Sequence, residues 1–214
     1  MYQGGRDGSP QIQDEKLAAK RRRVLDAARR HFMAQGYSDT GIEAVARDAK
    51  VSTATLYALF PSKTHLFNAV IDEAGQEFAG RIAAVSASGG DPLEQLRGFA
   101  SAYARFMSDP FVRSVFRLVA AERRRFTPVA QTMYDLGRNR FGAALMGILE
   151  RLRADGRFAG DRLATAAGQL MGMIEHPTFL VPLVTGGEVE CTRSPDQVAQ
   201  DAVDTLMARY GVGK

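Results

Sequence analysis

A chain of 214 residues can bury one hydrophobic core with room for a smaller second one, and 45% hydrophobic and 24% charged residues are typical of a globular protein. No apolar run is long enough to span a bilayer, and the single cysteine, Cys191, excludes an intramolecular disulfide, so we expect a cytoplasmic protein without a membrane partner. The net charge is only +4, but seven basic residues and one acid lie between Lys16 and Arg30. Such a basic end fits contact with phosphates, and a solvated helix face is the alternative.

Residues 1–13 contain glycines, a serine and a proline but no apolar core, which predicts a disordered arm. Beyond them apolar residues recur at helical spacing and sustained two-residue alternation is absent, so the chain is expected to be all-α with about nine helices. Pro177 and Pro182 interrupt an apolar stretch and are expected to kink or break its helix. Other prolines follow capping residues, which satisfy the unpaired backbone N–H groups of a first helical turn. Five helix starts are predicted in this way: Asp91-Pro92, Asp109-Pro110, Thr127-Pro128, Ser194-Pro195, and Ser62 after Pro61.

The segment from Thr40 to Lys63, TGIEAVARDAKVSTATLYALFPSK, predicts a helix-turn-helix. Thr40 and Glu43 have the spacing of a capping box that opens a first short helix. A tight turn follows at residues 50–51, and Ser52 caps a second short helix. In such a unit the second helix enters the major groove of DNA by its N-terminal residues.

Over about residues 20–70 the chain resembles the TetR (tetracycline-repressor-like) family. The resemblance implies a three-helix DNA-binding domain over residues 14–66, with the helix-turn-helix at 41–60, and a helical effector-binding and dimerisation domain over residues 67–214. The positions that carry it match in order and spacing: Phe32, Gly36, Tyr37, Val45, Ala46, Leu56, Tyr57, Phe60 and Lys63.

By the same resemblance, several residues are expected to bind double-stranded DNA. Thr40, through its hydroxyl or backbone N–H, Tyr57 and Lys63 look like phosphate contacts. Base edges would face the start of the second helix, where threonine can donate a hydrogen bond or touch a thymine methyl. The whole expected set is Arg22, Thr40, Ser52, Thr53, Ala54, Thr55, Tyr57 and Lys63.

The chain departs from the family pattern in the turn, where Lys50 stands in place of the usual glycine. If this position keeps a positive φ, lysine is strained there by roughly 1 kcal/mol. Thr53 also stands where the family often has a basic residue. We therefore expect residues 20–23 and Lys63 to supply a larger share of the affinity for DNA.

The stretch FRLVAAERRRF (residues 116–126) and residues 172–186 resemble the AefR-like subset of the family. That resemblance implies a small-molecule effector held in a cavity among the middle helices, and a homodimer formed by the last two helices. Soft, apolar side chains suit an adaptable pocket, although each is more often plain core. The candidate ligand contacts are Phe106, Phe116, Met133, Tyr134, Met171 and His176.

An enzyme is the rival class of function. His31, His65 and His176 are scattered over different predicted helices without metal-ligand spacing, and no glycine-rich phosphate loop or activated nucleophile is present. We therefore expect no catalytic residue, metal or cofactor. The expected function is a transcription regulator, a repressor released from a palindromic operator by a small, mainly apolar molecule. A module of the same fold without an effector is the alternative.

Overall fold

The computed structural model describes residues 10–87, 90–121, 141–159, 161–187, 189 and 191–212. Within these ranges the chain is all-α; the one β-type contact is an isolated bridge between Phe158 and Gly211. If the π turn and α9 are taken as the end of α8, the described residues form nine helices, as predicted. The helices are α1 (Pro10–Asp39), α2 (Ile42–Asp48), α3 (Thr53–Leu59), α4 (Lys63–Ala87), α5 (Pro92–Met107), α6 (Pro110–Ala121), α7 (Ala143–Ala154), α8 (Leu163–Glu175), a π turn (His176–Leu180), α9 (Val181–Val184) and α10 (Pro195–Tyr210).

The expectation of a disordered arm over residues 1–13 is wrong for its last four residues. Residues 1–9 lie outside the described part of the chain, but α1 already begins at Pro10. Proline suits the first position of a helix, and residues 11–20 (QIQDEKLAAK) contain mostly good helix formers without glycine or a second proline. Local propensity thus extends the helix where no apolar pattern predicted one.

Most of the predicted helix starts have the expected caps. Ser194 forms a full capping box with Gln197, Asp109 accepts from the N–H of Phe111 at 2.8 Å, and Ser62 accepts from that of His65 at 3.2 Å. Asp91 precedes α5 but its carboxylate binds Arg157 rather than capping the helix. Thr127-Pro128 lies outside the described residues.

Pro177 does not break its helix. The chain widens into the π turn at residues 176–180 and then resumes as α9. The Thr178 hydroxyl donates to the carbonyl of Ile174, one turn earlier, at 2.6 Å. Continuity is therefore kept by a local π-helical adjustment and a side-chain hydrogen bond.

The chain divides into two compact units, one ending at Glu73 and the other beginning at Ala74. The sequence-based boundary, between residues 66 and 67, falls seven residues earlier. Phe67 instead belongs to the core of the first unit, where it packs on Phe32 and Tyr37. Helix α4 therefore contributes its first turns to the first unit.

Helix α5 is central to the second unit, where it packs against α7, α8 and α10. Its buried face meets apolar side chains of those helices, including Leu145, Leu170 and Val203. None of the helices described here is both long and apolar enough to cross a membrane. The second unit thus has a continuous hydrophobic core of its own.

Candidate DNA-binding interface

Three aromatic rings hold the first unit together beneath its short helices. The ring centroids of Phe32 and Tyr37 lie 5.9 Å apart, and each ring meets that of Phe67 at 5.1 Å. Tyr37 reaches this cluster because Gly36 interrupts α1 with φ 76° and ψ 176°, a conformation open almost only to glycine. The Gly36-Tyr37 pair of the sequence motif therefore serves the packing of the core: the glycine conformation lets the tyrosine ring reach the cluster.

The turn between α2 and α3 is a Schellman motif centred on Lys50. The backbone N–H of Lys50 donates to the carbonyl of Arg47 at 3.1 Å, and that of Val51 donates to Ala46 at 3.0 Å. Lys50 has φ 54°, so the condition for strain at this position is met, and among the described residues it is the one non-glycine with a positive φ. The side chain itself is exposed.

Helix α3 is fixed by one cap and two buried side chains. Ser52 Oγ accepts from the N–H of Thr55 at 3.1 Å, as predicted, and the Ser52 and Thr55 hydroxyls lie 2.8 Å apart. Leu56 is fully buried, and Phe60 ends the helix with only 4% of its surface exposed. The helix therefore presents a defined face.

The predicted contact residues of α3 lie on its accessible side. Ser52 and Ala54 are exposed, and Thr53 and Thr55 are half-buried. Tyr57 is 44% exposed although its ring is large and apolar. One exposed aromatic with a phenolic hydroxyl beside two threonines can offer both hydrogen bonds and apolar contact to a ligand surface.

Thr40 is placed differently from the prediction. It does not cap α2, whose N-cap is Gly41 without a side-chain hydrogen bond, so the proposed Thr40–Glu43 capping box is absent. The Thr40 hydroxyl instead donates to the carbonyl of Gly36 at 2.6 Å, and the residue is 2% exposed. Gly36 is the residue that interrupts α1, so the hydroxyl bonds back to α1 instead of forward to α2. A phosphate contact through this hydroxyl proton would require breaking the bond.

Lys63, at the start of α4, is held in place on two sides. Its ammonium donates to the carbonyl of Ser38 at 2.9 Å and lies 4.8 Å from the centre of the Tyr37 ring. The Tyr37 hydroxyl in turn lies 2.9 Å from that of Thr64. The cation is thus fixed at the surface rather than free on a flexible stem, which sequence reasoning missed because Ser38 is 25 residues away.

The basic end of α1 meets the end of α3. Arg22 is exposed, as a phosphate contact must be, and its neighbour Arg21 places its guanidinium 5.4 Å from the centre of the Phe60 ring. Further along α1, Arg30 pairs with Asp48 at 2.9 Å. Cationic side chains of α1, of the segments next to α3 and of α4 thus all belong to the first unit.

Three of the ligand-contact candidates of the second unit pack against other apolar side chains. Phe106 stacks on Phe78 at 4.3 Å, Phe116 meets Phe179 at 4.8 Å, and Met171 packs on the core. Met133 and Tyr134 lie outside the described residues. Phe106 and Phe116 are therefore both packed against other rings.

His176 is the exception, since it lines an open groove of about 330 Å³ between α8, the π turn and α10. The groove is mixed in character, with Met173 and Val198 beside an ion pair of Arg193 and Asp201 at 2.7 Å. Nowhere in the described ranges do three or more His, Cys, Asp or Glu residues gather as a metal site would require.

A polar pair that the sequence did not reveal lies between α5 and α8. The buried hydroxyl of Tyr103 donates to the carboxylate of Glu175, which stands 72 residues later, directly before the π turn. Burial and the adjacent carboxylate raise the pKa of Tyr103 far above its ordinary value, so the phenol keeps its proton and remains a donor.

Comparison with known proteins identifies both units. The family described as bacterial regulatory proteins, tetR family, matches residues 24–70. The family described as AefR-like transcriptional repressor, C-terminal domain, matches residues 94–212. The HTH-type transcriptional repressor KstR of Mycolicibacterium smegmatis is 30% identical over 86 residues, which are 40% of this chain and 42% of that protein. The match to this relative thus spans less than half of its length.

Solved structures agree on the fold. A TetR-family transcriptional regulator from Mesorhizobium loti superposes with a TM-score of 0.72 at 23% identity, over 92% of this chain and 99% of that one. The flavonoid-responsive regulator FrrA gives a TM-score of 0.63 at 27% identity, over 92% of this chain and all of that one.

The turn after α2 yields a stability prediction, because the chain contains its own matched control. The turn after α7 has the same two hydrogen bonds, Gly156 N–H to Arg153 and Arg157 N–H to Leu152, with glycine at φ 69°. Lys50→Gly should raise the free energy of unfolding by up to about 1 kcal/mol, partly offset by the greater freedom of glycine in the unfolded chain.

The converse change, Gly156→Lys, should lower the free energy of unfolding by about 1 kcal/mol. A Cβ at Gly156 meets no atom within 4 Å, so only the strain of the backbone conformation changes. Urea unfolding of the two variants measures both effects. A destabilised Lys50→Gly beside an unchanged Gly156→Lys would contradict the assignment of strain to this turn.

Proposed function

The chain belongs to the TetR family of bacterial regulatory proteins, with an AefR-like C-terminal domain, and on this premise we propose that it is a ligand-responsive repressor. It acts in the cytoplasm as a homodimer on a palindromic operator, which it leaves when a small, mainly apolar molecule binds the second unit. The observation that carries the proposal is the capped helix α3, whose Thr53, Ala54 and Tyr57 lie on the accessible side of a rigid helix-turn-helix.

In this function the contacts divide into two kinds. Lys63, held by Ser38 and Tyr37, and the exposed Arg22 position the protein on phosphates without regard to sequence. Ser52, Thr53, Ala54 and Thr55 lie at the start of α3, the part of a recognition helix that meets base edges. Thr40 takes part through the backbone at the start of α2, because its hydroxyl is used within the chain.

Dimerisation is proposed through α8 and α10. One recognition helix reads only a few base pairs, so two copies related by a two-fold axis are needed for adequate specificity. Ala164, Gly168 and Gly172 give α8 an exposed face of small residues that allows close approach of another helix. Such a face is self-complementary, as a two-fold interface requires.

Effector binding is supported by the makeup of the second unit and by one relative. FrrA, 27% identical to this chain, is named as responsive to flavonoids, which are largely apolar ring compounds. The second unit here offers the rings of Phe78 on α4, Phe106 on α5 and Phe141 just before α7, and a part-buried Tyr103–Glu175 pair that can orient a polar group. A mainly apolar pocket with few polar groups is the usual form of a small-molecule site.

The two kinds of DNA contact are separable by mutation. Lys63→Gln removes the charge but keeps a donor for Ser38, and it should weaken binding about equally on all sequences and lower the salt slope by roughly one unit. Thr53→Ala and Thr55→Val should instead change which bases are preferred at one position of each half-site. Selection from random DNA followed by titration at several salt concentrations measures both. A changed selected sequence with an unchanged salt slope for Lys63→Gln would reverse the roles.

The dimer face has a direct test. Gly172→Arg adds a long cation where a Cβ meets no atom within 4 Å in the protomer, so it should leave the fold intact, yet block the approach of a second copy. Light scattering at micromolar concentration should show a monomer, with operator affinity reduced at least about tenfold. Gly80→Arg, an equally open glycine on α4, is the control and should remain dimeric. Dimers from both variants would exclude this face.

Effector action is tested by linkage. Hydrophobic compounds are screened by thermal shift, and the best is titrated with and without operator DNA. Because a ligand can only shift an equilibrium by its differential affinity, the operator should weaken ligand binding by the factor by which the ligand weakens operator binding, typically about 5- to 150-fold. Equal ligand affinity in both titrations, or no stabilising compound, would favour the module without an effector.

A further inference from the structure

Helix α1 continues far beyond the core that it helps to build. Its first fully buried residue is Val24, where the match to the TetR family also begins, yet the helix starts at Pro10. All side chains from residue 12 to residue 23 are exposed. At 1.5 Å per residue this extension, residues 10–23, projects for about 20 Å. Between residues 12 and 23 no side chain is buried, so apolar packing within the protomer does not account for this part of the helix.

The charges of the extension are ordered along and around the helix. Two acids, Asp14 and Glu15, lie in its early part, where the helix dipole favours negative charge. At about 100° per residue, Lys16, Lys20 and Arg23 fall within roughly 60° of one another. We call these three residues the basic stripe; Arg22 lies about 120° round the helix from it. The stripe covers about 10 Å, a length along which duplex DNA carries roughly six charges.

The extension leaves the core beside the recognition helix. Arg21, five residues after Lys16 and about 140° round the helix from it, places its guanidinium 5.4 Å from the centre of the ring of Phe60, the residue that ends α3. The extension therefore leaves the core next to the C-terminal end of α3, in the same unit as the other expected DNA contacts.

A membrane surface is a less suitable partner. Helices that bind membranes concentrate large apolar residues on one face. The extension has two, Ile12 and Leu17, both exposed and about 140° apart around the helix. The charge without an apolar face favours a polyanion.

We propose that residues 10–23 form a second DNA-binding element, which uses Lys16, Lys20 and Arg23 to bind the phosphates of the duplex that flanks each operator half-site. The element rests on the proposed function, since it acts only on a protein that is bound to DNA through α3. It adds affinity and salt dependence without sequence preference, because phosphate contacts carry none. The effective site is then longer than the palindrome.

The test compares two duplexes, the selected palindrome alone and the same palindrome with about ten base pairs of arbitrary sequence on each side. The full-length protein should bind the long duplex roughly tenfold more tightly, with a salt slope steeper by about two to three units per protomer. Lys16→Ala/Lys20→Ala/Arg23→Ala should bind both duplexes alike, with the slope of the short one. Alanine favours helix, so the variant should melt as the parent protein does.

Two controls make the result specific. Arg153→Ala/Arg162→Ala/Arg209→Ala removes the same charge from exposed positions of the second unit and should keep the full advantage of the long duplex. Lys16→Arg/Lys20→Arg/Arg23→Lys preserves the charge of the stripe, and this variant should also bind the long duplex more tightly than the short one. If the parent protein binds both duplexes equally, or if the stripe variant retains the difference, the inference is overturned while binding to the palindrome stands. If the parent selects no DNA sequence, the proposed function itself fails. If the stripe variant binds both duplexes as the parent protein does but no longer binds vesicles of anionic lipid, the extension binds a membrane surface and not DNA.

Discussion

The interface depends on one constraint: its two helices are too short to exist alone. Helices α2 and α3 have seven residues each, and isolated helices below about 12 residues are marginal in water. They persist because Val45 and Leu56 are fully buried against the rest of the first unit and because Ser52 caps α3. The rigid presentation of Thr53 and Tyr57 therefore depends on side chains that face away from the surface, above all the cluster around Phe67 that Gly36 makes possible.

The second unit combines an apolar core with a polar pairing that spans it. The Tyr103 hydroxyl on α5 would be costly to bury without a partner, and its hydrogen bond to the half-buried Glu175 at the end of α8 links these two helices. Glu175 is followed at once by the π turn, where the Thr178 hydroxyl donates to the Ile174 carbonyl. The pairing and the altered winding lie next to each other. Any molecule that displaced the Tyr103 hydroxyl would therefore act directly beside the π turn, where the winding of the backbone changes.

The sequence predicted those features whose causes are local. Ser52 as a cap and the ends of α3 follow from three or four neighbouring residues, and the structure confirms them. The positive φ of Lys50, which the family resemblance raised as a condition, is present as well. The Thr40 capping box was wrong because the hydroxyl donates to the carbonyl of Gly36 instead. Hydrogen bonds between distant residues, such as Lys63 to Ser38 or Tyr103 to Glu175, leave no periodic or spacing signal. The helical start at Pro10 escaped because the prediction used apolar periodicity, whereas an exposed helix needs only propensity.

The pair of hydroxyls at the start of α3 has a consequence for base recognition in the proposed complex. Ser52 Oγ already accepts from the N–H of Thr55, and the two hydroxyls, 2.8 Å apart, share one hydrogen bond whose direction is open. When Ser52 donates, the Thr55 proton points outward and suits an acceptor such as guanine O6 or thymine O4; when Thr55 donates, its oxygen suits the amino group of adenine or cytosine. The polarity of a single bond inside the protein thus selects between the keto and the amino face of the major groove.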